Sequence, residues 1–168
     1  MDFKDAHEKL LISSAFTEWE KKNKKSYLVH FFAELDQRLM PLNWEVGYYD
    51  ADRDLITTFA VNDTIRIEPE AQVFKEKNTI DQLDIVLTGL SSEDALHKAR
   101  EFQMDKYKQH PPMRGMIVLQ HIAEGPVWNI TFVTQTFCAL NIKIDSRNGA
   151  VASHQLISFA DIRSNASF

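Results

Sequence analysis

The residues best placed by type and spacing to do chemistry are Asp50, Asp52 and Asp54, in the D-x-D-x-D order that opens an EF-hand calcium loop. Alternating carboxylates converge on a hard cation only if the loop also turns at a glycine in its sixth position and closes on a glutamate in its twelfth. Those positions hold Leu55 and Val61, so the three aspartates read as a solvated hairpin turn and not as a calcium site. Six histidines, His7, His30, His97, His110, His121 and His154, lie scattered without the spacing that preorganises a zinc site. Cys138 is the single cysteine, which rules out an internal disulfide, and its strand-like surroundings suit a small buried side chain better than a nucleophile. Nucleophile-elbow, P-loop and dinucleotide-binding glycine patterns are all missing, and five glycines leave little room for one. The residues therefore assign no catalytic group, no cofactor and no metal, and the expectation is that the protein is not an enzyme.

Composition narrows the class further. The 168 residues are 44% hydrophobic and 26% charged, the balance of a water-soluble globular chain. A net charge of −5 argues against a nucleic-acid or anionic-membrane surface. The basic cluster Lys21, Lys22, Lys24 and Lys25 falls where a first helix should end, where cations complement the helix dipole. The N-terminus lacks the basic and apolar regions of a signal peptide, and no run approaches the ~18–20 apolar residues of a membrane span. These features predict a cytoplasmic protein with no membrane insertion. Asn62, Asn129 and Asn165 begin glycosylation sequons, which read as chance in that setting.

The elements that would position any site follow from periodicity. Residues 2–23 carry apolar side chains at helical spacing and predict one amphipathic helix. Residues 27–35 suit a strand by their aromatic and β-branched content, although Phe31, Phe32 and Leu35 also fit a helix. From Trp44 the alternation is plain: Trp44, Val46 and Tyr48 share a face, 50–53 turn, and 55–61 return. Further short strands are expected at 64–68 and 71–74, a short strand or extended segment at 83–87, and a surface loop or domain connection at 75–79. Ser91 followed by Glu93 and Asp94 starts a second helix, with Ala95, Leu96, Ala99 and Phe102 as its buried stripe. After His110-Pro111-Pro112 come strands at 116–120, at 128–132 with Trp128, Ile130 and Phe132 on one face, and at 140–144. A turn at 145–149, a last strand at 151–159 and a polar tail from 160 complete the chain. The chain thus divides into an N-terminal half, 1–80, and a C-terminal half, 81–168, each a helix followed by antiparallel strands. The fold class is α+β.

Some of these words also resemble a known family. Trp44-Glu45-Val46-Gly47-Tyr48-Tyr49 with Ile56-Thr57-Thr58-Phe59 resembles the first half of archaeal PepSY-like proteins. Residues 126–133 and 140–145, ending in Asn148-Gly149, resemble the PepSY repeat itself, and 93–99 is similar to its opening helix. Asn148 stands where the family often has threonine. The resemblance implies a cystatin-like α+β fold, in tandem, with no catalytic residues to carry over. It also implies a role in binding or restraining a protein partner such as a peptidase.

Two functions compete on this reading. The first is a non-enzymatic interaction module acting through an exposed sheet face or an edge strand, which could equally pair with its own copy in a homodimer. The second is a small-ligand binder or enzyme with a pocket on the concave sheet face. A cavity of roughly 300 Å³ or more with convergent polar groups separates them. Of the aromatics, Trp44, Tyr48, Trp128, Phe132 and Phe137 could line a ligand groove between sheet and helix, and the reading favoured over that is core, because alternating strand aromatics pack inward. Tyr49, on the opposite face to Tyr48, is the candidate for an exposed contact.

Overall fold

In the computed structural model, which describes residues 1–72 and 80–161, the first amphipathic stretch forms two helices where periodicity predicts one. They are α1 (Phe3–Leu11) and α2 (Ser14–Lys22). The break lies at Ser13. Its hydroxyl donates to the Leu10 carbonyl at 2.7 Å and accepts from the Phe16 N–H at 3.1 Å. A serine side chain that bonds the local backbone competes with helix propagation, and here it becomes the N-cap of the next helix. Ile12 beside it is 85% exposed, so no packing holds the helix through the break.

The remaining elements are β1 (Tyr27–Leu35), β2 (Trp44–Asp50), β3 (Leu55–Val61), β4 (Ile65–Ile67), β5 (Ala71–Gln72), α3 (Ser92–Lys106), β6 (Pro112–Ile122), β7 (Gly125–Thr134), β8 (Cys138–Asp145) and β9 (Val151–Ser158). The ambiguous segment at 27–35 is a strand. The stretch at 83–87, expected to be extended, contains a 3-10 turn at Ile85–Leu87 instead, because the Asp84 carboxylate accepts from the Val86 N–H at 2.9 Å. Ser91 caps α3 as its pattern predicts, accepting from the Asp94 N–H at 3.0 Å. The end of the 71–74 strand, the 75–79 loop and the tail beyond 161, with its Asn165 sequon, lie outside the described residues.

Every pairing is antiparallel, and the strands form one sheet in the order β4-β3-β2-β1-β6-β7-β8-β9, with β5 also on β3. The protein is α+β with a large antiparallel sheet. The two halves meet where β1 pairs with β6. On the helix-covered face, Phe31 lies opposite Leu119 and Ala33 opposite Ile117, and all four are fully buried. On the other face Phe32 has Glu45 on one side and Val118 on the other, and Val118 has Asn129 beyond it. Trp44 and Trp128, each one residue before those partners, therefore flank the join at matching register.

The core gathers over that join. The Phe3 ring of α1 lies 5.3 Å from Phe31, 5.2 Å from Trp128 and 6.3 Å from Trp44, in edge-to-face arrangements that suit the ring quadrupoles. Each buried indole N–H is satisfied in the same way. Trp44 donates to the Met1 carbonyl at 3.1 Å and Trp128 to the Leu90 carbonyl at 3.2 Å, each the residue just before a helix N-cap. The Asp2 carboxylate bonds the Ser92 hydroxyl, tying the start of α1 to that of α3. Arg100 of α3 reaches across to the Arg38 and Leu39 carbonyls in the β1–β2 connection, where Leu39 adopts φ +60°.

One of the aromatics read as core is on the surface. Phe137 sits in the tight β7–β8 turn at φ +56° and is 75% exposed, because a turn residue in that conformation no longer follows strand alternation. Trp44, Tyr48, Trp128 and Phe132 are all buried.

Two substitutions check this architecture by urea unfolding. Trp128→Ala removes a fully buried indole that packs on Phe3 and Trp44, and should cost about 3–5 kcal/mol. A loss below about 1 kcal/mol would mean that the ring is not core. Gly149, at φ +77° in the β8–β9 turn, should lose about 1–2 kcal/mol as Val, since a β-branched residue is strained there. An unchanged midpoint would refute the turn geometry.

Candidate functional site

The helix break places polar side chains where a continuous helix would place core. His7 lies on the buried stripe of α1, between Ala6 and Leu10, and α2 sets off from Ser13 to bring Phe16, Trp19 and Glu20 over the end of β2. Between these helices, the start of β1 and the 82–85 segment opens a cleft of about 660 Å³. At its floor His7 Nε2 meets the Tyr48 hydroxyl at 3.0 Å. The His7 ring also stands edge-on to Phe31 at 5.4 Å.

Both partners are held uncharged. Burial pushes the His7 imidazole below its ordinary range, and burial followed by the nearby Glu20 carboxylate pushes the Tyr48 phenol far above its own. A neutral imidazole nitrogen can accept the phenol proton, which leaves lone pairs on the tyrosine oxygen. Ser26 lines the same cleft, and its Oγ is buried with no hydrogen-bond partner among the described residues. A smaller recess of about 250 Å³ adjoins, sharing Phe16, Glu20, Ser26 and Tyr48 and adding Trp19, Lys21 and Lys24. The helix-covered face is thus filled with apolar core at its centre and carries a polar-floored cleft at one end.

Of the residues weighed in the sequence, His7 and Tyr48 line this cleft, and the others fall elsewhere. Asp50, Asp52 and Asp54 do form the β2–β3 hairpin turn, and protein donors engage all three. Asp50 accepts from the Asp52 and Arg53 N–H groups and from Arg53 Nε, Asp52 pairs with Lys25 at 2.5 Å, and Asp54 accepts from the Tyr49 hydroxyl at 2.7 Å. Tyr49 is not an exposed contact. It is 1% exposed, with the Tyr27 ring edge-on at 5.7 Å and its hydroxyl turned onto Asp54. Alternation did place it opposite Tyr48, but a neighbouring strand and the hairpin turn cover that end of the outer face. The lysine cluster is a solvated helix end capped by Asn23, whose amide donates to the Trp19 carbonyl at 2.8 Å. Cys138 is buried beside Thr134. No group of three or more His, Cys, Asp or Glu side chains comes together around a metal-sized space among the described residues. Sequence reasoning missed the His7–Tyr48 pairing, although Tyr48 was among the aromatics that could line a groove between sheet and helix and His7 stands on the apolar stripe of α1.

No family model and no curated protein matches the chain. A solved structure does. The crystal structure of a putative lipoprotein from Clostridium difficile 630 covers 84% of this chain and 90% of its own, with a TM-score of 0.53 and 15% identity. The likeness is one of fold. No helix among the described residues is long and apolar enough to cross a membrane.

A second histidine lies on the opposite sheet face. His30 stacks over Gly47, where an added Cβ would come within 2.2 Å of the ring, and burial lowers its pKa to about 4. Its folded pKa is below the unfolded one, so as pH falls the unfolded chain takes up the proton first. The stability that neutral His30 confers is complete above about pH 6.5 and is lost as pH falls towards 4, by about 2–3 kcal/mol in all. Glu45 on that face acts in the opposite sense, its pKa raised by burial and then by Glu68 and Glu34. Urea midpoints at neutral pH and near pH 4.5 should therefore fall further for the native chain than for His30→Gln. Equal pH dependence in the two would remove His30 from this account.

Proposed function

We propose that the chain is a non-enzymatic interaction module, a tandem pair of cystatin-like halves that recruits an extended segment of a partner protein by strand addition at the outer edge of β9. Three matches support the tandem reading. The indoles Trp44 and Trp128 each bond the carbonyl preceding their own half's helix. The strands bearing them flank the β1–β6 join at the same register. Aligning the N-caps Asp2 and Ser91 then sets buried Ala6 with Ala95 and Leu10 with Ala99.

The observation that carries the binding role is the contrast between the two sheet edges. At one edge β4 and β5 are three and two residues long, with Pro69 between them and Arg66 and Glu70 beside them. Short strands, proline and charge are the ordinary means of blocking an edge. At the other edge β9 runs for eight residues, VASHQLIS, without a lysine, arginine, aspartate or glutamate. Among the described residues nothing pairs with its outer side. Ser153 and Gln155 project from it into solvent, while His154 is held on the helix side by the Tyr107 hydroxyl at 2.7 Å. Such an edge offers backbone donors and acceptors to an extended chain. The PepSY resemblance makes a peptidase the first partner to try, and a second copy of this chain is the other candidate for the same edge.

The test places a photo-crosslinking residue at Gln155, with and without Ser153→Lys, in the native host and in purified protein. Crosslinks to a partner or to a second copy are expected, and the lysine should abolish them. Because Ser153 is exposed, the lysine should change stability by less than about 0.5 kcal/mol. No crosslink in either setting, together with a monomeric sedimentation profile at high concentration, would sink the proposal.

A further inference from the structure

We infer that the His7–Tyr48 cleft is a binding site for a small organic ammonium, a protonated amine carried on a flat apolar body. The inference rests on the half-to-half correspondence proposed above. That correspondence sets His7 with Leu96 and Tyr48 with Phe132, since each pair stands at the same distance from its N-cap or its tryptophan. Leu96 and Phe132 are buried members of the core. The second half thus fills the space beneath its helix with hydrocarbon, and the first half keeps the same positions polar and opens a cleft of about 660 Å³ over them. A polar pair in place of an apolar one is tolerated once its groups are hydrogen-bonded, and here it leaves polar atoms facing an open cleft.

The lining decides the class of ligand. Two carboxylates, Glu20 and Asp84, border the larger cleft, which no lysine or arginine lines; Lys21 and Lys24 reach only the adjoining recess. Phe16, Tyr27 and Tyr48 provide ring faces and edges, and an ammonium is attracted to aromatic faces as well as to carboxylates. The N–H groups of a primary ammonium also match the acceptor that the His7 bond leaves on the Tyr48 oxygen, with the unpartnered Ser26 Oγ buried in the wall beside it. An anion would meet the two carboxylates instead. The site is separate from β9, so it adds a small-molecule function to the module without competing for the peptide edge.

The test is an NMR titration of the nitrogen-15-labelled whole chain with phenethylammonium, set against phenylacetate as the anion of matching shape. Saturable shifts are expected at the amides of Ser26, Tyr48 and Leu83 for the amine, with binding of the anion weaker by about tenfold or more. Glu20→Gln, at an exposed helix position, should weaken the amine by about five- to tenfold without altering the fold. His7→Leu combined with Tyr48→Phe installs the apolar pair of the other half. It should abolish amine binding while the chain stays folded. The inference is overturned if phenylacetate binds as well as the amine, if no shift saturates by about 10 mM, or if Glu20→Gln leaves affinity unchanged. If the double variant unfolds, the correspondence between halves is wrong, and Glu20→Gln still decides whether the cleft takes a cation. Amine binding that survives Ser153→Lys, with the β9 crosslinks lost, would separate this site from the peptide edge.

Discussion

The antiparallel pairing of β1 with β6 makes one sheet out of two short helix-and-strand halves, and Phe3 locks the seam by packing on Phe31, Trp44 and Trp128 together. Each half has about 80 residues, a size at which a single core is marginal. The seam solves that problem by letting the two tryptophans, which belong to different halves, pack with tilted rings 6.2 Å apart. The tryptophans in turn orient the helices, because each indole N–H must find an acceptor once it is buried and takes the carbonyl just ahead of a helix. Packing, hydrogen bonding and helix placement are therefore one constraint. Disturbing the seam would disturb both helices and, through α1, the position of His7.

Much of this was legible from local signals. The alternation at Trp44, Val46 and Tyr48 and at Trp128, Ile130 and Phe132 places those side chains on the buried face, and Ser91 and Gly149 mark a cap and a turn by their own chemistry. What was illegible came from contacts distant in sequence. Nothing near Tyr27 announces that it will cover Tyr49, so the tyrosine read as exposed is buried. The break at Ser13 depends on a serine choosing the backbone over solvent, which periodicity does not record. The candidate cleft was less legible still. His7 and Tyr48 are 41 residues apart, and the packing of α1 over β2 makes them neighbours. Motif spacing finds sites built within one loop or helix, and this one is built between elements.

The PepSY resemblance and the fold-level likeness to the Clostridium difficile 630 protein bear on different things. The likeness, at 15% identity, concerns the path of the chain. The resemblance lies in strand and turn words that encode a hairpin and its core, and of the residues packed at the seam it includes Trp44 and Trp128. Neither reaches the cleft, since His7 precedes the matched words and Tyr48, although within them, acts there as a core aromatic.

The two halves differ where the proposed functions need them to. In the second half α3 is a single helix whose small residues, Ala95 and Ala99, let it close on the sheet, and its last strand is left long and free of strong charge at the edge. In the first half the helix is broken, the floor beneath it is polar, and the edge is cut into the short strands β4 and β5. A break that opens the core would be costly if the apolar pair were kept, because it would expose Leu- and Phe-type surface to water. With His7 and Tyr48 bonded to each other, the opened surface is already satisfied, so the helix can part there without stranding a donor or an acceptor at the floor. The Ser26 Oγ is a buried group in that cleft without a bond among the described residues, and with the Glu20 and Asp84 carboxylates at the rim it leaves polar capacity that a bound donor could use.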